Sequence, residues 1–139
     1  MCWFIICKLN GVAAGAGASL ALACDFIVAN EKASLIEVFV NVGLVPDSGS
    51  SYFLPKAISP ARAFEMATMA PKISAQQALE WGLINRVCSD DTFNETIDQI
   101  AQYYASAPTK SMWEGMISKK GTSVGKMLSC TLDKPTIHS

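Results

Sequence analysis

The stretch NGVAAGAGASLALACD, residues 10–25, decides the fold because it joins an apolar strand to a small-residue helix through a glycine-alanine turn. Residues 3–7 before it, WFIIC, predict a buried strand, and residues 18–24, ASLALAC, predict a helix. Unpaired N–H groups of the first helical turn are therefore expected at Gly15, Ala16 and Gly17. Amides held there can bind an anion or a developing oxyanion, helped by the helix dipole.

Composition indicates one ordinary globular core. The chain has 139 residues, of which 50% are hydrophobic and 17% charged. Eleven Lys and Arg residues against twelve Asp and Glu residues give a formal charge of −1. This balance provides no attraction to nucleic acid or to acidic membranes, so a small molecule or a protein is the expected partner.

The cysteines and the single histidine indicate a reduced, metal-free, cytoplasmic protein. The five cysteines are an odd number and are scattered without a CxxC pair. His138 is the only histidine and falls near the end of the chain, so a Ser-His or Cys-His nucleophile is not expected. Lys8 interrupts the apolar N-terminal run, which makes it a poor signal peptide, and no stretch is long enough to span a bilayer.

The rest of the pattern predicts an α/β architecture. Strands are expected at 26–29 and 34–36, and a strand-helix-strand order implies a parallel crossover. The segment 43–49, GLVPDSG, predicts a loop in which Asp47 or Ser48 caps the next helix.

Three further helices follow that loop. One is expected from the Ser59-Pro60 pair to about Met69, because Ser is a good N-cap and Pro suits the first helical position. A capping box at Ser74 and Gln77 predicts a second helix, which stops at Gly82. Apolar residues at helical spacing after Asp91 predict an amphipathic third helix.

Common nucleotide and nucleophile motifs do not fit the glycine turn. In a GxGxxG dinucleotide fingerprint, the third small residue would stand where the bulky Leu20 does. A phosphate-binding GxxxxGK[ST] loop is absent, and residues 48–51 do not form a GxSxG elbow. The turn therefore remains a bare amide site.

Two carboxylates are candidates for proton transfer. Asp47 follows an apolar run, where reduced hydration would suit a general base, although spacing alone favours its role as a helix cap. Glu37 is the rival, with the alternative that it is a solvated residue at a strand end.

Three blocks of the sequence resemble the crotonase superfamily, the enoyl-CoA hydratase/isomerase group. They are residues 10–25, residues 43–49 and residues 73–87, ISAQQALEWGLINRV, in the family's order and spacing. The resemblance covers about residues 4–110 and implies a crotonase-like ββα spiral core. Within the family, the patterns NGVAAGAGA and GL[IV]PD are most similar to the ring-epoxide isomerases of phenylacetate degradation.

The resemblance implies an acyl-CoA substrate and an oxyanion hole of two backbone amides. One of these amides matches Ala16, and the neighbouring Gly15, Gly17, Phe39 and Val45 are the implied substrate-binding residues. The family needs no cofactor or metal beyond coenzyme A as part of its substrate. The two glutamates of its hydratases correspond to Ser19 and Phe39, which argues against hydration.

The aspartate that acts in the epoxide and dienoyl-CoA isomerases of the family matches Asp47. The leading hypothesis is therefore isomerisation of an acyl-CoA double bond or ring epoxide. In haloarenoyl-CoA dehalogenases a nucleophilic aspartate stands at the same position, with an aromatic residue at that of Phe39. That alternative forms a covalent ester and needs a histidine to activate water.

The match to the family is partial. We expect a partial crotonase-like core at 1–118 and a weakly structured tail at 119–139, with the family's N-terminal half and C-terminal trimerisation helices largely absent. The absent half supplies the other oxyanion amide. A truncated, catalytically incompetent fragment is therefore the alternative to an enzyme, and the family's trimers or hexamers are not expected of this chain.

Overall fold

A computed structural model describes residues 4–108. Its strands are β1 (Ile6–Leu9), β2 (Val12–Ala14), β3 (Phe26–Asn30), β4 (Ser34–Ile36), β5 (Ile73–Ser74) and β6 (Arg86–Cys88). Its α-helices are α1 (Ala16–Ala23), α2 (Ser50–Ala57), α3 (Pro60–Met69), α4 (Ala75–Glu80) and α5 (Asp90–Ser106), and a 3₁₀ helix covers Val38–Val42. The predicted α/β class is confirmed.

The strands form two small sheets. One has the order β1-β3-β6 with parallel pairing throughout, which confirms the predicted parallel crossover through α1. The other has the order β2-β4-β5, in which β2 and β4 are parallel and β5 is antiparallel to β4. One cluster of buried apolar side chains joins both sheets to α1, α2, α3 and α4.

The first strand differs from its prediction. It begins at Ile6 and ends at Leu9, later than the predicted 3–7, and a further strand, β2, occupies residues that the sequence placed in the glycine-alanine turn. Pairing explains the additional strand: Val12, Ala13 and Ala14 face Ser34, Leu35 and Ile36 in register. Backbone pairing overrides the weak strand preference of alanine.

The predicted caps of α3 and α4 are confirmed. The Ser59 Oγ accepts from the Arg62 N–H at 3.4 Å, and the Ser74 Oγ accepts from the Gln77 N–H at 3.2 Å. The predicted cap of α2 is wrong, because Gly49 is the N-cap and no side chain caps this helix. The Ser50 N–H instead donates to the backbone carbonyl of Asp47 at 3.0 Å.

The described residues divide into two compact units. One comprises Ile5–Ala101, and Phe4 and residues 102–108 belong to the other. In the second unit the rings of Phe4 and Tyr104 stack with centroids 3.7 Å apart. The predicted boundary at residue 118 and the predicted tail, 119–139, lie outside the described residues.

Within residues 4–108, every helix is too short or too polar to cross a membrane.

Candidate active site

The pairing of β2 with β4 brings Gly15 to the end of β4. Ala14 faces Ile36 at the end of the ladder, and the Gly15 N–H continues it by donating to the Ile36 carbonyl at 2.8 Å. Gly15 has φ +53° and ψ −119°, a conformation open to glycine and costly for other residues. The backbone therefore turns sharply from β2 into α1.

The free amides of the turn are fewer than predicted. The Gly15 N–H is occupied by Ile36, so the prediction of a free donor there is wrong. Ala16 is the first residue of α1 and is exposed, and no hydrogen bond among residues 4–108 engages its N–H. Gly17 is exposed as well, with open space where a Cβ would be. Ala16 and Gly17 thus present the donors at the N-terminus of the helix.

Ser19 connects this turn to the Asp47 loop. Its side chain is fully buried, and its Oγ lies 3.2 Å from the Gly15 carbonyl oxygen and 3.4 Å from the Asp47 carbonyl oxygen. The same hydroxyl forms a short hydrogen bond with the Ser50 Oγ at the start of α2. One hydroxyl therefore touches α1, the loop and α2.

Glu37 is buried, with a relative exposure of 0%. The Ser50 Oγ lies 3.0 Å from both of its carboxyl oxygens. Burial raises the pKa of Glu37 and the nearby Asp47 charge adds to this rise, while the Ser50 hydrogen bond opposes it. The interpretation of Glu37 as a solvated strand-end residue is wrong, because the chain turns directly into the 3₁₀ helix and encloses the side chain.

Asp47 is exposed, and its Oδ1 accepts from the Ser48 hydroxyl at 2.9 Å. Its apolar neighbours Leu44 and Val45 are exposed as well, Val45 by 79%. The expectation of reduced hydration in this loop is therefore not met, because these side chains project away from any core. The Asp47 carboxylate is accessible to a bound molecule.

Phe39 packs beneath the turn. It is 7% exposed, and a Cβ added to Gly15 would lie 3.6 Å from its ring Cζ. The predicted site residues Gly15, Ala16 and Phe39 are therefore neighbours. Contact of Phe39, Gly17 or Val45 with a substrate stays a prediction.

Sequence reasoning missed the buried pairing of Glu37 with Ser50. The burial of Ser50 does have a sequence signal. Ser50 precedes Leu54 by about one helical turn on α2, so the two side chains share a face of the helix, and both are buried. Glu37 has no comparable pattern, because its burial depends on the pairing of β2 with β4.

Metal ligands do not cluster within residues 4–108. His138 lies outside these residues. The candidate chemistry consists of backbone donors at Ala16 and Gly17 and an accessible carboxylate at Asp47.

Comparison with known proteins agrees with this geometry. The sequence profile of the family described as Enoyl-CoA hydratase/isomerase matches residues 3–119. The chain belongs to this family. The resemblance to the crotonase superfamily is thereby confirmed.

Relatives of the chain carry out several reactions. It is 44% identical over 105 residues to the 1,2-epoxyphenylacetyl-CoA isomerase of Escherichia coli (strain K12), covering 76% of this chain and 40% of the relative. It is 35% identical over 133 residues to 4-chlorobenzoyl coenzyme A dehalogenase-1 of an Arthrobacter species, covering 96% of this chain and 46% of the relative.

Solved structures show the fold. An enoyl-CoA hydratase from Polaromonas sp. JS666 matches with a TM-score of 0.75 and 36% identity, covering 94% of this chain and 52% of that one. One from Mycobacterium avium subsp. paratuberculosis K-10 matches with a TM-score of 0.74 and 36% identity, covering 76% and 43%. The chain therefore has part of the crotonase fold and spans about half or less of the length of these proteins.

Proposed function

We propose that this chain contributes to an acyl-CoA isomerase site in which the Ala16 amide binds the thioester oxygen and Asp47 moves a proton. The observation that carries the proposal is that Ser19 contacts both halves of this site, the Gly15 carbonyl at 3.2 Å and the Asp47 carbonyl at 3.4 Å. The identity with 1,2-epoxyphenylacetyl-CoA isomerase supports isomerisation.

On a 3-enoyl-CoA, the Asp47 carboxylate takes a proton from C2 and the electron pair moves to the carbonyl oxygen. The Ala16 N–H stabilises the resulting enolate, because a preorganised donor is most valuable where charge develops. The proton returns at C4, which gives the 2-enoyl-CoA with no net change in atoms. Acyl-CoA ring epoxides, which would be opened, are the second substrate class that we propose. Neither class requires a cofactor beyond the coenzyme A of the substrate.

Hydration is disfavoured by the residues at the positions of the family's two glutamates. Ser19 is buried and hydrogen-bonded, and Phe39 is apolar, so neither can activate water. Glu37 does not replace them, because its carboxyl is enclosed and engaged by Ser50.

An Asp47→Asn variant tests the assignment. We expect its turnover of a 3-enoyl-CoA to fall by about 10²–10⁴-fold, the contribution of a positioned general base. Asp98→Asn is the matched control, since Asp98 is an exposed aspartate on α5. Unchanged turnover in Asp47→Asn would remove Asp47 from the mechanism.

Aspartate-nucleophile chemistry is a second candidate, favoured by the 35% identity with the dehalogenase over 96% of this chain. In that reaction the exposed Asp47 carboxylate attacks the haloaryl ring and halide leaves. Mass spectrometry of protein mixed with a haloarenoyl-CoA distinguishes the two: a covalent ester on Asp47 supports the dehalogenase, and an unmodified chain with isomerised product supports the isomerase.

A crotonase-like segment without turnover is the alternative to both. Loss of one oxyanion donor typically costs about 2.7–4 kcal/mol of transition-state stabilisation. Calorimetry with a coenzyme A thioester tests this, because a chain that folds but has no thioester affinity favours the inactive segment.

We also propose a cytoplasmic location. Size-exclusion chromatography tests a separate point, whether the chain forms the trimers or hexamers of its family.

A further inference from the structure

We propose that Glu37 is a positioning residue whose proton sets the direction of the hydrogen bonds that run through Ser50 and Ser19 to the amide turn and the Asp47 loop. The three side chains of this Glu37–Ser50–Ser19 relay are each 0% exposed. The functional part of the inference rests on the isomerase site proposed above, while the relay itself is measurable without substrate.

The relay is short of hydrogens. A hydroxyl donates one hydrogen, and a carboxylate donates none. Ser50 contacts both Glu37 oxygens and the Ser19 Oγ, while Ser19 also lies within reach of the Gly15 and Asp47 carbonyl oxygens. The direction of each hydrogen bond is therefore fixed by whether Glu37 carries a proton.

When Glu37 is ionised, Ser50 donates to the carboxylate. Ser50 then accepts from Ser19, whose single hydrogen is used in that bond. The Gly15 and Asp47 carbonyls receive no hydrogen from Ser19 in this state. In this state Ser19 does not hydrogen-bond the amide turn to the Asp47 loop.

When Glu37 is protonated, the Glu37–Ser50 and Ser50–Ser19 hydrogen bonds reverse. Glu37 donates to Ser50, Ser50 donates to Ser19, and Ser19 donates to the Gly15 or Asp47 carbonyl. The loop that presents Asp47 is thereby hydrogen-bonded to the helix that presents Ala16. Proton binding at Glu37 is coupled to the relative position of the two groups that the reaction uses.

Protonation is favoured by the surroundings of Glu37. Burial raises its pKa, and among residues 4–108 the charged group that adds to this rise is Asp47. The other polar groups of the relay are the two serine hydroxyls, of which Ser50 opposes the rise.

Carbonyl ¹³C NMR of the uniformly labelled chain, recorded against pH, tests the relay. We expect the Glu37 carboxyl to titrate above its ordinary value of 4.5, and the backbone carbonyl shift of Gly15 or Asp47 to change with the same midpoint. In Glu37→Gln the side chain cannot ionise, so the carbonyl shift should not change with pH. In Ser50→Ala the Glu37 titration should persist while the carbonyl step disappears.

The proposal is overturned if the wild-type carbonyls show no step, or if the step survives in Glu37→Gln. If the carbonyl step survives in Glu37→Gln but is lost in Asp47→Asn, the step arises from Asp47 and not from Glu37. Ser19→Ala provides a second break in the relay should Glu37→Gln or Ser50→Ala fail to fold, and it should likewise abolish the carbonyl step.

Turnover separates this inference from the proposed isomerase. If the relay sets the geometry of the site, the decline in kcat with rising pH that accompanies Glu37 ionisation should be absent in Glu37→Gln, and an unchanged decline contradicts the inference. Absence of the carbonyl step in the wild-type chain, together with normal isomerase activity, refutes the relay alone. A normal carbonyl step with no isomerase activity refutes the proposed function alone.

Discussion

The Gly15 N–H donates a 2.8 Å hydrogen bond to the carbonyl of Ile36. This bond joins the end of β2 to the end of β4 and fixes the point at which α1 begins. It also removes one of the three expected donors and leaves Ala16 as the first free amide of the helix. The amide turn is therefore positioned by the sheet.

The two glycines that flank Ala16 should respond oppositely to alanine. In Gly15→Ala the new Cβ would lie 3.2 Å from the Val38 Cγ2 at a φ of +53°, so we expect the free energy of unfolding to fall by about 1–3 kcal/mol. In Gly17→Ala nothing lies within 4 Å, and a helical alanine should raise it by up to about 1 kcal/mol. Urea denaturation measures both, and equal effects would contradict the importance of the Gly15 conformation.

The sequence was sufficient to predict the elements that depend on local chemistry. The Ser59 and Ser74 caps follow from side-chain hydrogen bonds to nearby amides, and both are confirmed. Strand β2 was not predicted because two of its three residues are alanine, and only its pairing with β4 makes it a strand. The wrong cap at Asp47 has a related cause: the loop adopts left-handed conformations at Ser48 and Gly49, which spacing does not reveal.

The candidate site divides in the same way. The free Ala16 amide follows from a helix that begins after a glycine, which is local. Glu37 is engaged by Ser50, 13 positions away, and Ser50 is engaged by Ser19, 31 positions from it. These contacts form only after both sheets and α2 have formed. Long-range packing of this kind has no periodic pattern in the sequence.

Stability should depend on pH through Glu37. A carboxyl whose folded pKa is raised contributes stability that is fully present below its ordinary value of 4.5 and is lost as pH rises through the folded pKa. Glu37→Gln cannot ionise, so it should gain stability relative to wild type as pH rises from 4 to 8. Thermal unfolding across this range measures the difference, with Glu65→Gln as the control because Glu65 is exposed on α3. A constant difference between wild type and Glu37→Gln would show that Glu37 does not titrate in this way.

The Lys32–Asp90 ion pair should show the opposite pH dependence and a small effect. Lys32 and then Asn30 lower the pKa of Asp90, so its contribution is present above its ordinary value of 3.8 and is lost as pH falls through the folded pKa. Both side chains of the pair are exposed, and salt screens such contacts. Asp90→Asn should therefore lower Tm only slightly, and by a smaller amount at high salt. Asp91→Asn, at the neighbouring exposed position, is the control. A large, salt-independent loss would contradict a surface role.

The Ala16 amide can be removed without disturbing the helix. Proline is favoured at the first helical position, where its missing N–H has no intrahelical partner, so Ala16→Pro should retain the fold. The preceding Gly15, at φ +53° and ψ −119°, has the mirror image of the extended conformation that proline prefers before it. Loss of this one donor should lower kcat on a 3-enoyl-CoA by about 10²–10³-fold with a smaller change in KM.

Ala16→Gly is the matched control for Ala16→Pro, because it retains the N–H and also removes the alanine methyl group. It should keep kcat within a few-fold of wild type, since the amide and not the side chain makes the proposed contact. A second measurement follows the enolate of a bound 3-oxoacyl-CoA by its ultraviolet absorbance, which should weaken in Ala16→Pro and persist in Ala16→Gly. Equal turnover and equal enolate absorbance in the two variants would show that the oxyanion is held by a group other than the Ala16 amide, with Gly17 as the next donor to replace.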